Sequence, residues 1–112
     1  MSITPRSRKA KGRRLQQEVC NLLLEQFSHL EQDDIKPAIM GESGEDVKLS
    51  PAARRSIPYS FECKSQERLN IWQALNQADG NSKGHEPILV FKRNRSKVYA
   101  VVEFDHLLKL LE

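Results

Sequence analysis

Three side chains that could together cleave a phosphodiester bond lie in the middle of this chain of 112 residues. Glu62 and Lys64 stand on either side of Cys63, and Asp46 precedes them. Residues 59–64 alternate in a way that predicts a strand, so Glu62 and Lys64 point to the same face. A carboxylate and an ammonium group side by side, with a second carboxylate from a neighbouring strand, can hold a hard cation and orient a water molecule. This combination favours metal-dependent cleavage of phosphodiesters.

The predicted metal ligands are Asp46 and Glu62, whose carboxylates converge on one cation if their strands pair. Mg²⁺ suits such a site, since it uses few carboxylates, keeps several waters and takes phosphate oxygens from a substrate, and Mn²⁺ is the expected substitute. The backbone carbonyl of Cys63 is a candidate further ligand, and Lys64 would steady the attacking water and the charge on phosphorus. The alternative is an ion pair between two strands on a solvated sheet face.

The pattern of apolar residues predicts which elements bring these residues together. A helix begins at Lys11, because apolar residues recur three and four positions apart at Leu15, Val19, Leu22, Leu23 and Phe27. Glu18 falls on or beside this stripe, where an acid is unexpected. We therefore expect Glu18 to lie on the inward side of the helix.

Five strands and two further helices are predicted in the rest of the chain. The strands are Ile35–Met40, 46–49, 59–64, 88–92 and 97–102, and the helices are 66–79 and one that starts near Phe104. Pro37 favours an edge strand for the first of these. Residues 50–58 are predicted to form a loop, and residues 93–96 a basic hairpin turn. The order α-β-β-β-α-β-β-α predicts an α/β fold with a mixed central sheet flanked by helices.

Length and charge indicate one domain with a basic start. Six of the 18 basic residues fall within residues 1–14, which contain no acid, so the remainder has 12 basic against 15 acidic residues. We expect residues 1–10 to be a disordered basic arm and residues 11–112 to form a single domain. Such an arm can hold nucleic acid without reading its sequence, and a solvated tail that aids solubility is the alternative.

The chain has no apolar run long enough to span a bilayer, and no apolar signal segment follows the basic start. We therefore expect a soluble, intracellular protein of the cytoplasm without a membrane partner. Cys20 and Cys63 have no metal-type partners at short spacing, which favours buried, reduced thiols over a disulfide.

Basic residues that could bind DNA phosphates occur in the arm and first helix, in the loop 50–58 and around the hairpin turn. They are Lys9, Lys11, Arg13, Arg14, Arg54, Arg55, Arg93, Arg95 and Lys97. An ordinary solvated charge is the alternative for each, most of all for Arg93 and Arg95.

A helix acid, a strand aspartate, a strand Glu-x-Lys and a following helix, in this order, resemble the PD-(D/E)XK nuclease superfamily. The residues that carry the resemblance are Glu18, Asp46, Glu62 and Lys64, and the order of elements matches over roughly residues 11–102. The Lys11-Gly12 pair at the start of the first helix, and the small size, are similar to archaeal-type Holliday junction resolvases and small phage-encoded relatives.

The resemblance implies a restriction-endonuclease-like αβββαβ core with an extra strand and a C-terminal helix. It implies catalytic roles for all four residues, with Glu18 assisting the metal or a second ion. The sequence departs from the family pattern in two respects. Glu45 stands where the motif has proline, and the spacing from Lys11-Gly12 to Glu18 is slightly longer than in the archaeal enzymes.

The second predicted helix carries a stripe of uncharged amides at Gln66, Asn70, Gln73 and Gln77. Amides can bond phosphate oxygens or a metal-bound water without competing for the cation. Gln73 is therefore a further catalytic candidate, with Gln77 as its neighbour, whereas an ordinary polar helix face is preferred for Gln66 and Asn70.

The residues and the resemblance together predict a Mg²⁺-dependent DNA endonuclease in which a metal-activated water attacks phosphorus in line. Branched DNA is the first choice of substrate, as for a Holliday junction resolvase in DNA recombination, and a nicking or repair-type nuclease is the second. Cutting two strands at a branch would need a homodimer, formed through the C-terminal helix or the Trp72 helix face. The rivals are a non-catalytic nucleic-acid-binding module and an adaptor with a degenerate nuclease core. By family analogy such a protein is typical of phage genomes and would act in the host cytoplasm.

Overall fold

The protein's structure, a computed structural model, describes residues 4–39 and 41–112. The helices are α1 (Pro5–Gln26), α2 (Pro51–Ser56), α3 (Ile71–Gly80) and α4 (Phe104–Leu110), with a short 3-10 helix at Gln32–Asp34. The strands are β1 (Ile35–Pro37), β2 (Val47–Leu49), β3 (Tyr59–Ser65), β4 (Glu86–Lys92) and β5 (Tyr99–Val101). The predicted α/β class, with helices flanking a mixed sheet, is confirmed.

The strands form two sheets where we expected one. β1 and β2 are antiparallel, while β3 runs parallel to β4 and β4 antiparallel to β5. The backbone N–H of Asp46 donates to the carbonyl of Phe61 at 3.0 Å, which connects the start of β2 to the outer edge of β3. This bond brings Asp46 beside the strand that carries Glu62.

The main hydrophobic core lies between α1 and the sheets. It includes Leu15 and Val19 from α1, and Phe61 and Cys63 from β3, all of them buried. Because side chains alternate along a strand, Glu62 lies on the opposite face of β3, towards α3. The alternation predicted from the sequence is thus the one that the structure has.

The first helix starts earlier than predicted. The side chain of Thr4 accepts a hydrogen bond from the backbone N–H of Ser7 at 3.1 Å, and Pro5 occupies the first helical turn. This cap and this proline are favourable signals for a helix start. Residues 5–10 are therefore helical where we expected a disordered arm, and residues 1–3 lie outside the described residues.

The predicted loop 50–58 contains a helix, α2. Ser50 caps it by accepting from the backbone N–H of Ala53 at 3.1 Å, and its hydroxyl donates to Asp34 at 2.6 Å. The prediction of a loop with Arg54 and Arg55 at its tip is wrong, because both arginines lie in the last turn of α2.

The helix after the Glu-x-Lys segment starts later than predicted. α3 begins at Ile71 rather than Gln66, where Asn70 caps it by accepting from the backbone N–H of Gln73 at 3.1 Å. Residues 66–70 therefore separate Lys64 from α3 instead of belonging to it.

Two smaller predictions can be compared with the structure. The first strand ends at Pro37 and pairs only along one side within the described residues, as an edge strand should, while Met40 lies outside them. Cys20 and Cys63 are both free and buried, as expected. In the described part of the chain, no helix is both long and apolar enough to cross a membrane.

Candidate active site

Asp46 is fixed against the outer edge of β3 by its own side chain. Its Oδ2 atom accepts a hydrogen bond from the backbone N–H of Cys63 at 2.7 Å, while its backbone N–H donates to Phe61. The carboxylate thus takes the place of a carbonyl that a neighbouring strand would offer. This arrangement presents the second carboxylate oxygen to the face that carries Glu62.

Glu62 is buried, with 6% of its surface exposed. Its Oε1 atom accepts from the side-chain amide of Asn81 at 3.1 Å, and its Oε2 atom lies 3.8 Å from the ammonium nitrogen of Lys64. Asn81 follows the last residue of α3, so the end of that helix orients the carboxylate. Lys64 faces the same side of β3 because it is two residues further along the strand.

The carboxyl groups of Asp46 and Glu62 are close enough for each to affect the pKa of the other. Burial raises the pKa of Asp46 above its ordinary value, against the opposing effects of the Cys63 N–H and Lys64. Burial also raises the pKa of Glu62, and the charge of Asp46 raises it further. Two neighbouring carboxylates repel each other, and a proton or a cation bound between them relieves that repulsion.

The backbone carbonyl of Cys63 adds an uncharged donor at the same edge. The N–H and C=O of one strand residue point to the same side, and the Cys63 N–H points towards Asp46. Its carbonyl is therefore directed to the outer edge of β3 rather than to β4. The thiol lies in the core, where burial raises its pKa, so it is not a thiolate ligand.

This donor set fits a hard divalent cation. Within residues 4–39 and 41–112, no group of three or more His, Cys, Asp and Glu side chains could hold a metal ion. The available donors are the carboxylates of Asp46 and Glu62 and one backbone carbonyl. Mg²⁺ commonly binds through only one or two carboxylates, with water and substrate phosphate as its other ligands.

The segment before Asp46 is held by Glu45, the residue that replaces the proline of the family motif. Glu45 forms an ion pair with Arg54, and their side chains are only 12% and 21% exposed. The same guanidinium donates to the backbone carbonyl of Tyr59 at the start of β3. Arg54 therefore ties the loop that carries Asp46 to the strand that carries Glu62, which is a structural use rather than the phosphate contact that we predicted.

The structure does not bring Glu18 to this site. Glu18 is exposed on α1, and in the described part of the chain it takes part in no hydrogen bond or ion pair with another side chain. The cavity next to Asp46, about 230 Å³ in volume, is instead lined on the α1 side by Lys9, Arg13 and Gln16. An amide and two cations thus occupy the wall where we expected an acid, and the predicted inward orientation of Glu18 is wrong.

Gln73 and Gln77 lie on the other side of the site. Together with Lys64 and Asn70 they line a cavity of about 250 Å³, to which Gln66 also contributes. The predicted amide stripe therefore does border Lys64, although Gln66 belongs to the segment before the helix. α3 thus supplies amides to one wall and α1 supplies cations to the other.

A third cavity continues the cationic surface. It has a volume of about 540 Å³ and is lined by three cations, Arg8, Lys11 and Arg68, and one acid, Glu67, with Gln66 shared with the cavity beside Lys64. Lys9 and Arg13 thus line the Asp46 cavity and Lys11 lines the third cavity, all three on a helix rather than on an arm.

The other predicted DNA contacts lie further from the carboxylates. Arg93 lines a cavity with Phe91 and Tyr99, and Gln66 connects that cavity with the site. Four residues are exposed and line none of these cavities, namely Arg14, Arg55, Arg95 and Lys97.

Three residues at or beside the site were missed by sequence reasoning. Gln16 lines the Asp46 cavity, Asn81 donates to Glu62, and Arg68 lines the adjoining cavity. The longer spacing between Lys11-Gly12 and Glu18 was a signal that another residue of α1 faces Asp46. For Asn81 the sequence offers only a polar residue in a turn, because its role depends on where α3 ends.

Comparison of the chain with protein-family models, with curated proteins and with solved structures found no match. The resemblance to the PD-(D/E)XK superfamily therefore rests on the sequence pattern alone, and the structure does not bring Glu18, one of its four residues, to the site.

Proposed function

We propose that this protein is a Mg²⁺-dependent DNA endonuclease that hydrolyses phosphodiester bonds. The observation that carries the proposal is the position of Asp46, whose carboxylate accepts from the Cys63 N–H at 2.7 Å, beside the strand that carries Glu62 and Lys64, which lie 3.8 Å apart. A buried Glu62 and a half-buried Asp46 side by side disfavour each other's charged form unless a proton or a cation lies between them. Such an arrangement is expected at a functional site rather than on a solvated sheet face.

Each residue has a distinct task in the proposed reaction. Asp46, Glu62 and the Cys63 carbonyl would hold the cation, which when bound supplies a water of lowered pKa and neutralises charge on the phosphate. The ammonium group of Lys64 lies beside these donors and stabilises the negative charge that develops on phosphorus. Asn81 keeps Glu62 oriented, and the Cys63 N–H does the same for Asp46.

DNA would approach along the α1 side of the site, where basic side chains form a cationic wall. Lys9 and Arg13 border the Asp46 cavity, and Arg8 and Lys11 border the neighbouring one, so phosphates on both sides of the cleaved bond meet positive charge. A branched substrate of the Holliday junction type remains our first choice and a nicked or damaged duplex our second. The substrate would be met in the cytoplasm, of a host cell if the protein is phage-encoded.

A homodimer would supply two active sites for a branched substrate. α3 and α4 expose large apolar side chains, including Trp72 at 78% and Phe104 at 67%. These side chains are the candidate contact between two copies of the chain.

The second candidate function is a non-catalytic nucleic-acid-binding module. The position of Gln16 favours it, because the α1 wall offers an amide and cations where a third carboxylate was expected. A module of this kind would use the cationic wall to bind DNA without cleaving it.

Cleavage of labelled DNA distinguishes the two functions. A four-way junction and a linear duplex of matched sequence are incubated with Mg²⁺, Mn²⁺ or EDTA. We expect cleavage with either metal and none with EDTA, and a loss of about 10²–10³-fold in Lys64→Ala. Asp46→Ala should also abolish cleavage while DNA binding is retained. Binding without cleavage under both metals would favour the module.

A further inference from the structure

The cavity beside Lys64 differs chemically from the other cavities around the site. Its lining consists mainly of the amides Gln66, Asn70, Gln73 and Gln77, with apolar contributions from Leu69 and Ala74. Its volume is about 250 Å³. This is slightly below the ~300–1,000 Å³ of typical ligand pockets, so it suits a single flat ring better than a whole nucleoside.

The charge of this cavity argues against a phosphate as its occupant. Its only cation among the described residues is Lys64, which lies 3.8 Å from Glu62 and belongs to the active site. Phosphate contacts are usually made by arginine and lysine, which here lie on the α1 wall. Amides instead match the mixed donors and acceptors on the edge of a nucleobase.

The glutamines have free hydrogen-bonding capacity. Asn70 uses its side-chain oxygen to cap α3, whereas in the described part of the chain the side-chain amides of Gln73 and Gln77 make no hydrogen bond. Gln73 and Gln77 are four residues apart and therefore lie on one face of the helix. Together they offer two adjacent amides to a ligand that enters the cavity.

We propose that this cavity binds one unpaired nucleobase next to the scissile phosphate. The inference rests on the proposed nuclease function, which puts the cleaved bond at Asp46, Glu62 and Lys64. A base inside a duplex is stacked and paired, so it cannot enter a pocket without leaving the helix. The cavity therefore selects DNA that has an unstacked nucleotide at the cleavage site, as at a branch point or a single-stranded segment.

The test is a double-mutant cycle on DNA binding, with fluorescence anisotropy as the readout. The probe is a fluorescent branched DNA with two unpaired nucleotides at the junction, prepared with normal bases or with base-free sugars at those positions. Wild type and Gln77→Leu are measured on both probes. Gln26→Leu serves as the matched control, because Gln26 is exposed at the C-terminal end of α1. Thermal unfolding checks that the variants are folded.

We expect Gln77→Leu to weaken binding of the normal probe about tenfold, as for the loss of one amide–base contact. Removing the bases should weaken wild-type binding by a similar factor, and the two changes together should cost no more than either alone. Gln26→Leu should match wild type, and a fully paired duplex should not respond to Gln77→Leu. Independent effects, or no effect of either change, would overturn the proposal.

A cleavage assay on the same normal probe with Mg²⁺ separates this inference from the proposed function. Cleavage with independent effects in the cycle rejects the base pocket and retains the nuclease. Coupled effects without cleavage reject the nuclease and retain a pocket for an unpaired base.

Discussion

The two faces of β3 differ in what they bury. Towards α1, Phe61 and Cys63 pack into the main core, whereas towards α3 the strand buries Ser60 and Glu62. A single strand thus carries side chains that stabilise the fold and side chains that can do chemistry, separated by alternation alone. We therefore expect substitutions of the partly exposed site residues to cost less stability than substitutions on the opposite face.

The largest contrast is expected between Phe61→Ala and Lys64→Ala, which alter opposite faces of the same strand. Removing the buried ring should lower the free energy of unfolding by about 3–5 kcal/mol. Removing the Lys64 ammonium, which lies 3.8 Å from the buried Glu62 and makes no hydrogen bond to it, should lower it by only about 1–2 kcal/mol. Urea unfolding at neutral pH measures both values, and losses of similar size would contradict the proposed division between the faces.

The next effect concerns the connection between the two sheets. Arg54→Met leaves the carboxylate of Glu45 without its ion pair, and Tyr59 without a donor. We expect the free energy of unfolding to fall by about 2 kcal/mol, less than for a fully buried pair because both side chains retain some exposure. Urea unfolding measures this loss.

The control for this change is the double variant with Glu45→Gln, which removes the unpaired charge. It should recover part of the lost stability, and a double variant no more stable than Arg54→Met would argue against a charge effect. The single variant should also slow DNA cleavage, since Asp46 follows Glu45 directly.

Metal binding should depend on pH in a way that reports on the carboxyl pair. Because burial raises the pKa of both Asp46 and Glu62, protons compete with a cation at higher pH than for ordinary carboxylates. Mn²⁺ affinity should fall by about tenfold per pH unit below one raised pKa, and by up to about a hundredfold per unit below both. Electron paramagnetic resonance of free Mn²⁺ between pH 5 and 8 measures this.

The Asp46→Asn variant provides the comparison, because it retains an oxygen for the Cys63 N–H but loses one charge. Its affinity should be weaker and less dependent on pH. An affinity of the wild type that stays constant over the whole range would contradict a pair with raised pKa.

A small gain in the free energy of unfolding is expected when the repulsion between Asp46 and Glu62 is removed. Glu62→Gln retains an oxygen for Asn81 and should raise the free energy of unfolding by about 0.5–1 kcal/mol at pH 8 without metal. A raised pKa in the folded state means that wild-type stability is lost as pH rises through that pKa. The gain should therefore disappear as the pH falls to about 4, where the acids are protonated. Urea unfolding at several pH values measures it.

The local pattern of β3 could be predicted because strand alternation depends only on neighbouring residues. Phe61, Glu62 and Lys64 alternate as expected, and Asp46 lies beside them because the β2 segment meets the edge of β3. The Glu45–Arg54 pair could not be predicted. Arg54 lies in α2, and the sequence predicted a loop in that segment. α3 starts late because Asn70 is its N-terminal cap. The spacing of Gln66, Asn70, Gln73 and Gln77 predicted instead that Asn70 lies inside the helix.

Helix orientation is the feature that sequence patterns determine least well. An α-helix turns by about 100° per residue, so Gln16 and Glu18 point in directions about 200° apart. An apolar stripe as wide as that of α1 leaves either residue a candidate for the inward side. Only packing against the sheets decides that Gln16 lines the Asp46 cavity.

The smallest expected effect tests this choice between Gln16 and Glu18. Gln16→Glu adds a carboxylate to the Asp46 cavity and should raise Mn²⁺ affinity about threefold to tenfold, because cation affinity grows with the number of charged ligands. Gln17→Glu adds the same charge to an exposed position of α1 and is the matched control. Glu18→Ala should leave affinity within about twofold of wild type, since an exposed carboxylate outside the site contributes only screened attraction. A large loss of Mn²⁺ affinity in Glu18→Ala, with no gain in Gln16→Glu, would contradict this choice. It would indicate that Glu18, and not Gln16, faces the metal site.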